Sequence, residues 1–225
     1  MARFHSLLLA ATTLCISYFA NAAPLNIQVN DQHGKPLADA VVTLQGPAGL
    51  PVGTLKADMD QRAQQFAPHV LAVHTGTPIK FPNSDNIRHQ VYSFSPAKRF
   101  ELRLYEGTPS DPVLFDKPGV VVLGCNIHDW MLGYVYVTDD PRFGVTDASG
   151  QLTLDAPPGG YHATLWHPQA PGMQPVDGGD VKIAAAGLTQ SFVLTVEPQT
   201  AQTPTAPAPS AFGDAFKRAA HETAQ

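Results

Sequence analysis

Four residues whose side chains bind soft metal ions occur in the middle of the chain. Cys125, His128 and Met131 follow one another at a C-x2-H-x2-M spacing, directly after the valine-rich segment 119–123. His89 opens another predicted strand some distance upstream. Because a connection between two strands can fold its side chains around one point, we expect the first three to converge and His89 to join them from its own strand.

The chemistry of this set favours copper. A thiolate, two imidazoles and a thioether are soft and borderline ligands, and two histidines and a cysteine with a weak axial methionine form the electron-transfer type of copper site. Such a set changes little between Cu(I) and Cu(II), so electron transfer requires little reorganisation. Zinc fits less well, since structural zinc rarely takes methionine. We therefore predict one type 1 copper ion, bound by His89, Cys125, His128 and Met131.

Other interpretations of the same residues stay open at this point. Cys125 could be an inert buried thiol, His128 an ordinary histidine of the connection, and Met131 a core residue. A nucleophilic cysteine–histidine pair lacks an apparent third group that would orient it. Trp130 is either a packing lid over His128 or part of an apolar docking face. We expect surface or internally satisfied roles for four other histidines, His69, His74, His162 and His167.

The surrounding sequence predicts an all-β protein. The chain has 21 prolines and 18 glycines, and only 15% of its residues are charged, which favours short strands joined by turns. Between residues 59 and 137, apolar runs and alternations predict a sandwich or barrel of short strands. A helical turn or two is possible only at Met59–Phe66. The run 119–123 is expected to be a strand buried on both faces.

Two stretches of the chain resemble the cupredoxins. They are Phe81-Pro82-Asn83 with His89, and Gly124-Cys125-Asn126-Ile127-His128-Asp129-Trp130-Met131. Within that family the ligand spacing looks like that of amicyanins, and the wider pattern looks like exported proteins often labelled methylamine utilization proteins. The resemblance spans residues 59–167. It implies a Greek-key β-sandwich in which both histidines supply equatorial nitrogens, the cysteine a thiolate and the methionine an axial thioether.

The flanking segments resemble a second kind of β-sandwich. Leu25, Ile27 and Val29 alternate with polar residues, and residues 25–44 look like the first hairpin of carboxypeptidase regulatory-like or transthyretin-like domains. The matching second half begins at the turn Thr146-Asp147-Ala148-Ser149-Gly150, so we expect the cupredoxin to be inserted into this smaller sandwich. The expected division is a signal peptide (1–22), the first part of the smaller sandwich (23–58), the cupredoxin (59–140), the second part of the smaller sandwich (141–196) and a disordered tail (197–225).

The first 22 residues predict a secretory signal peptide. Arg3 precedes the apolar run Leu7–Ala20, and Ala20-Asn21-Ala22 is a small-x-small cleavage signal. An uncleaved N-terminal anchor is the alternative. Cleavage removes Arg3, no acidic residue, and Cys15, so the formal net charge goes from -5 to -6. We expect a periplasmic protein without a membrane span. The chain also lacks the basic excess that nucleic-acid binding requires.

These observations predict an exported copper protein that carries single electrons between redox partners and is not an enzyme. His128 would be the exposed ligand, with Trp130 and Leu132 as a contact surface for a transiently bound partner. Copper oxidases and reductases usually need additional copper centres, and the sequence has no further His-x-His cluster. Two alternatives stay open: a periplasmic copper-binding or delivery protein with the same ligands, and a carbohydrate- or surface-binding β-sandwich protein with a structural copper.

Overall fold

The computed structural model describes residues 23–46, 57–109 and 111–197, which form an all-β protein. Regular structure in these ranges consists of one 3-10 turn, Pro171–Met173, and seventeen strands. The predicted all-β class is therefore confirmed. The strands are β1 (Ala23–Asp31), β2 (Val41–Gln45), β3 (Ala57–Asp58), β4 (Asp60–Arg62), β5 (Gln65–Ala67), β6 (Val70–His74), β7 (Thr77–Lys80), β8 (His89–Ser95), β9 (Lys98–Tyr105), β10 (Val113–Phe115), β11 (Gly119–Cys125), β12 (His128–Thr138), β13 (Arg142–Val145), β14 (Gln151–Ala156), β15 (Gly159–Trp166), β16 (Val176–Ile183) and β17 (Leu188–Leu194).

Two predictions concern residues outside those ranges. The predicted signal peptide, 1–22, lies outside them, and so do residues 198–225 of the expected tail, 197–225. Within the part of the chain that the structure describes, no helix has the length and apolar character needed to cross a bilayer.

Strands from the two ends of the described chain form one sandwich, which we call the outer sandwich. One sheet has the order β14-β1-β17, with β1 antiparallel to β14 and parallel to β17. The other sheet has the order β13-β2-β15-β16. Leu25, Ile27 and Val29 of β1 point into the core between the sheets and are fully buried. The alternation in the sequence therefore predicted the buried face of β1 correctly.

Strands from residues 57–138 form a second sandwich, the inner sandwich. A five-stranded sheet with the order β6-β12-β11-β8-β9 packs against a three-stranded sheet with the order β10-β7-β3. Val91 and Leu123 of the first sheet and Ile79 and Phe115 of the second are fully buried in one core. The sandwich forms because the two sheets remove their facing apolar surfaces from water.

The chain enters and leaves the inner sandwich between strands of the outer one. β1 and β2 pair with strands that follow residue 141, whereas β3 to β12 pair among themselves. On this pairing we propose that the two sandwiches are two domains and that the inner one is inserted into the outer one. An inserted domain requires that the strands before and after it lie close together. They do here, because β2 and β13 are direct neighbours in one sheet.

A third apolar cluster joins the two sandwiches. Trp166 of β15 is fully buried, and the centroid of its ring lies 5.9 Å from that of Tyr134 and 5.5 Å from that of Tyr136. Both tyrosines lie on β12, and Val41 of β2 and Val70 of β6 belong to the same cluster. The outer sandwich therefore covers part of the second face of the five-stranded sheet.

The valine-rich strand β11 is packed on both of its faces, as its sequence predicts. Val121 and Leu123 belong to the core of the inner sandwich. Val120 and Val122 pack against the cluster around Trp166. A continuous apolar run, instead of an alternating one, is what a strand between two apolar layers requires.

The possible helical turn at Met59–Phe66 is wrong. Residues of this segment form the β4–β5 hairpin, in which Ala63 and Gln64 have φ angles of 52° and 58°. Two positive φ angles are typical of two-residue hairpin turns and incompatible with a helix. The N–H groups of both turn residues donate to the carboxylate of Asp85, at 2.7 and 2.9 Å. These two hydrogen bonds join residues 22 and 21 positions apart, and they stabilise the turn against the helical turn that the local sequence allows.

Removing the ring of Trp166 tests the cluster between the sandwiches. We expect Trp166→Ala to lower the free energy of unfolding by about 3–5 kcal/mol, because it leaves a large apolar cavity. Trp130 is the matched control, since its side chain is 67% exposed, and Trp130→Ala should change stability by less than about 0.5 kcal/mol. Urea unfolding followed by circular dichroism measures both. Equal midpoints for the two variants would contradict the packing described.

Candidate metal centre

The β11–β12 hairpin brings Cys125 and His128 face to face. Cys125 is the last residue of β11, His128 is the first of β12, and the two are paired across the hairpin with two residues between them. The sequence analysis placed Cys125, His128 and Met131 together in a connection between two strands, but in the structure all three lie in the paired strands. The strands extend further because the pairing continues past an irregularity between Gly124 and Cys125. The C-x2-H spacing is therefore the spacing of a tight hairpin turn.

His89 joins this pair from the neighbouring strand. It is the first residue of β8, and β8 pairs with β11 through Tyr92 and Gly124. Gly124 is needed at this contact, because a β-carbon there would lie 2.8 Å from the ring of Tyr92. The ring centroids of His89 and His128 are 5.0 Å apart. Two histidines and a cysteine thus meet at one edge of the five-stranded sheet.

The three candidate ligand atoms already have the spacing of a metal site. The Sγ of Cys125 lies 3.7 Å from the Nδ1 of His89 and 3.9 Å from the Nδ1 of His128, and the three ligand atoms lie within 4.8 Å of one another. Bonds of about 2.0 Å to nitrogen and 2.3 Å to sulfur, about 120° apart, would separate these atoms by about 3.7 Å. One ion can therefore bind all three without a rearrangement of the backbone.

The burial of the three residues is unequal. His89 and Cys125 are 0% and 2% exposed, whereas His128 is half-buried. His128 is thus the most exposed of the three candidate ligands.

Met131 is buried on β12, three residues after His128. It belongs to the same core cluster as Cys125. This location is compatible with a fourth metal ligand. It is equally compatible with the alternative from the sequence, in which Met131 is only a core residue. The role of Met131 as an axial ligand remains a prediction.

The loop before His89 is shaped by a buried asparagine that sequence analysis did not single out as a functional residue. The side-chain amide of Asn83 donates to the carbonyl oxygens of Ile87 and Tyr105, at 2.8 and 3.0 Å. Its side-chain oxygen accepts the N–H of Asp85 at 3.0 Å. These three hydrogen bonds fix residues 84–88 and thereby the start of β8. The signal was present in the sequence, since an asparagine in a Pro-Asn-Ser-Asp stretch favours a side-chain-bonded turn.

A partly buried tyrosine is paired with His89 in the sheet. Tyr105 of β9 is the register partner of His89, and its hydroxyl donates to the carbonyl oxygen of Phe81 at 2.7 Å and accepts from the side chain of Gln61. Burial raises the pKa of Tyr105 to about 12. The hydroxyl therefore stays protonated and holds the segment before Asn83 against β9.

The four histidines for which the sequence predicts surface or internally satisfied roles have partners of their own, and the Nδ1 of His74 lies 3.0 Å from the carbonyl oxygen of Thr75. His69 lies 2.8 Å from the carboxylate of Asp39, and the side chain of His167 lies 3.1 Å from the carbonyl oxygen of Ala38. A hydrogen bond with the carboxylate of Asp180 raises the pKa of His162. Within the part of the chain that the structure describes, His89, Cys125 and His128 are the one cluster of at least three His, Cys, Asp or Glu residues with metal-site spacing.

The surface beside His128 is apolar. The ring centroid of Trp130 lies 5.2 Å from that of His128, and 67% of Trp130 is exposed. Ile127 and Leu132 are also exposed. Trp130 is therefore mostly exposed while its ring lies against that of His128, and its role stays a prediction.

Comparisons with known proteins find partial structural likenesses only. No protein-family model matches the chain, and no curated protein matches it. A purple cupredoxin from Nitrosopumilus maritimus is 22% identical, with 36% of this chain and 99% of that one covered and a TM-score of 0.33. A reduced Cu(I) form of an amicyanin variant is 17% identical, with 43% and 99% covered and a TM-score of 0.34.

A copper-containing nitrite reductase from Thermus scotoductus is 24% identical, with 42% of this chain covered and a TM-score of 0.35. The chain spans 25% of that enzyme.

Removing the side chain of Asn83 tests how the loop before His89 is held. We expect Asn83→Ala to lower the free energy of unfolding by about 2–3 kcal/mol, because two carbonyl oxygens and one N–H lose their partner in a mostly buried place. Asn26→Ala, in the exposed outer face of β1, is the matched control and should have little effect. Chemical denaturation without added metal measures both. Equal stability of the two variants would show that Asn83 does not hold the loop.

Proposed function

We propose that this protein binds one type 1 copper ion through the Sγ of Cys125 and the Nδ1 atoms of His89 and His128, with Met131 as a weak fourth ligand. The observation that carries the proposal is the placement of three ligand atoms within 4.8 Å of one another. A set of one thiolate and two imidazoles suits copper better than the hard cations, which prefer oxygen. Copper bound in this way supplies a reversible one-electron couple.

We further propose that the protein carries single electrons and is not an enzyme. Three adjacent strands of one sheet provide the ligands, and the core behind them is apolar and buried. Close packing resists the movement of side chains, so the ligands would keep their places when the copper changes its oxidation state. Little reorganisation is what favours fast electron transfer.

The route for the electron in this proposal is the half-buried imidazole of His128. His89 and Cys125 are enclosed, whereas His128 is bordered by the exposed side chains of Trp130 and Ile127. A partner redox protein would bind this apolar surface transiently. The formal net charge of -5, or -6 after removal of residues 1–22, favours a partner with a basic rim at low salt.

The signal-like segment 1–22 supports a periplasmic location for such a carrier. Expression of the full chain in a bacterial host and fractionation of the cells tests this part separately. Recovery of a shortened protein from the periplasm agrees with export, and a full-length protein in the cytoplasm contradicts it.

Copper uptake by the purified protein tests the site. We expect one equivalent of Cu(II) to produce an intense red-region absorption band, because the thiolate of Cys125 donates charge to the metal. Cys125→Ser, His89→Ala and His128→Ala should each abolish the band. His162→Ala is the matched control, since His162 is a histidine outside the cluster, and it should keep the full band. A colourless complex, or a band that survives Cys125→Ser, would contradict the proposal.

Retention of copper through a redox cycle separates a carrier from a delivery protein. We expect reversible voltammetry, with the metal held in both oxidation states when a Cu(I) chelator is present. Loss of the metal to the chelator on reduction would favour copper delivery. This second candidate uses the same ligands, so the distinction depends on the retention measurement alone.

A charged side chain at position 130 tests the proposed route. We expect Trp130→Lys to slow electron exchange between copies of the copper-loaded protein at least about tenfold, because two like charges would meet beside the exposed ligand. Val193→Lys is the matched control, since Val193 is 68% exposed on the outer sandwich. NMR line widths of mixed Cu(I) and Cu(II) samples give both rates. Equal slowing by the two variants would mean that electrons do not pass beside Trp130.

A further inference from the structure

The two ring nitrogens of His89 face different partners. The Nδ1 lies 3.7 Å from the Sγ of Cys125, and the Nε2 lies 2.8 Å from the Oδ2 of Asp85. A carboxylate only accepts hydrogen bonds, so the Nε2 must carry the hydrogen. The lone pair of the neutral imidazole is then on the Nδ1, which faces the cluster.

The carboxylate of Asp85 is itself held in place from two sides. Its Oδ1 accepts the N–H of Ala63 at 2.7 Å, and its Oδ2 accepts the N–H of Gln64 at 2.9 Å. The N–H of Asp85 donates to the side chain of Asn83. Because the hairpin turn and the loop both hold this group, it cannot rotate away from His89.

The carboxylate of Asp85 is half-buried, with 14% of its side chain exposed. Besides its contact with His89 it accepts two backbone N–H groups, so its oxygens act as hydrogen-bond acceptors. A carboxylate hydrogen-bonded to a histidine ligand draws the shared hydrogen toward itself, and this makes the imidazole a stronger donor to a metal.

We propose that Asp85, held by the turn Ala63–Gln64, is a positioning residue that fixes the tautomer of His89 and lowers the reduction potential of the copper. A stronger nitrogen donor stabilises Cu(II) more than Cu(I), so the carboxylate shifts the equilibrium toward the oxidised form. This inference rests on the proposed copper site and adds a residue that does not touch the metal. It also gives the β4–β5 hairpin a function, since the N–H groups of its turn hold the carboxylate.

The reduction potential of the copper-loaded variants tests the proposal. Asp85→Asn keeps the size of the side chain but presents either a second donor or a weaker acceptor to the Nε2 of His89. We expect the Cu(I) form to gain at least tenfold relative to Cu(II), which is about 59 mV for one electron. Asp85→Glu retains a carboxylate, so its reduction potential should lie between that of Asp85→Asn and that of the unchanged protein.

Glu106→Gln is the matched control for the loss of one negative charge. Glu106 is exposed and contacts Arg88, which precedes His89, at 3.6 Å. We expect its potential to stay close to that of the unchanged protein. Equal potentials for Asp85→Asn and Glu106→Gln would overturn the proposal.

The tautomer of His89 can be measured without copper and without a variant. In the metal-free protein, above the titration range of an ordinary histidine, ¹⁵N NMR should show a hydrogen on the Nε2 and none on the Nδ1. The opposite tautomer would overturn the proposal even if Asp85→Asn fails to fold. A protein that binds no copper would contradict the proposed function instead, and the tautomer would still decide whether Asp85 positions His89.

Discussion

The adjacency of β8, β11 and β12 in one sheet is the constraint on which the candidate site depends. β11 is antiparallel to both of its neighbours, so its last residue, Cys125, lies beside the first residues of the other two strands, His89 and His128. Backbone pairing therefore brings together three side chains that are separated by up to 39 positions. An ion bound there would tie three strands together at one edge of the sheet.

The rest of the structure keeps that edge in place. The inner core packs under Cys125, and the cluster around Trp166 covers part of the opposite face of the same sheet. Beside His89 the contacts are hydrogen bonds instead of apolar packing. Asn83 orients the loop, and Asp85 orients the imidazole of His89. The outer sandwich thus packs against the sheet that contains the candidate site. On β12, Trp130 and Leu132 lie outside this contact and are exposed.

Those features of the strands and of the candidate site that depend on local sequence patterns could be predicted from the sequence. The alternation in β1, the two-sided packing of β11 and the closeness of Cys125 to His128 follow from residue types and spacing, whereas the place of His89 beside them is what the resemblance to cupredoxins implied. The hairpin at 60–67 and the contact of Asp85 with His89 do not follow from such patterns, because each depends on the other through hydrogen bonds across the fold. An acid four positions before a candidate histidine ligand is a signal, but only the folded loop turns it toward the ring.

X-ray absorption at the copper edge of the loaded protein identifies the atoms bound to the metal and so tests the ligand set itself. We expect one short copper–sulfur bond and two copper–nitrogen bonds in both oxidation states, with little change in their lengths on reduction. A copper bound only to nitrogen and oxygen, or a sulfur ligand lost when the metal is reduced, would contradict this ligand set.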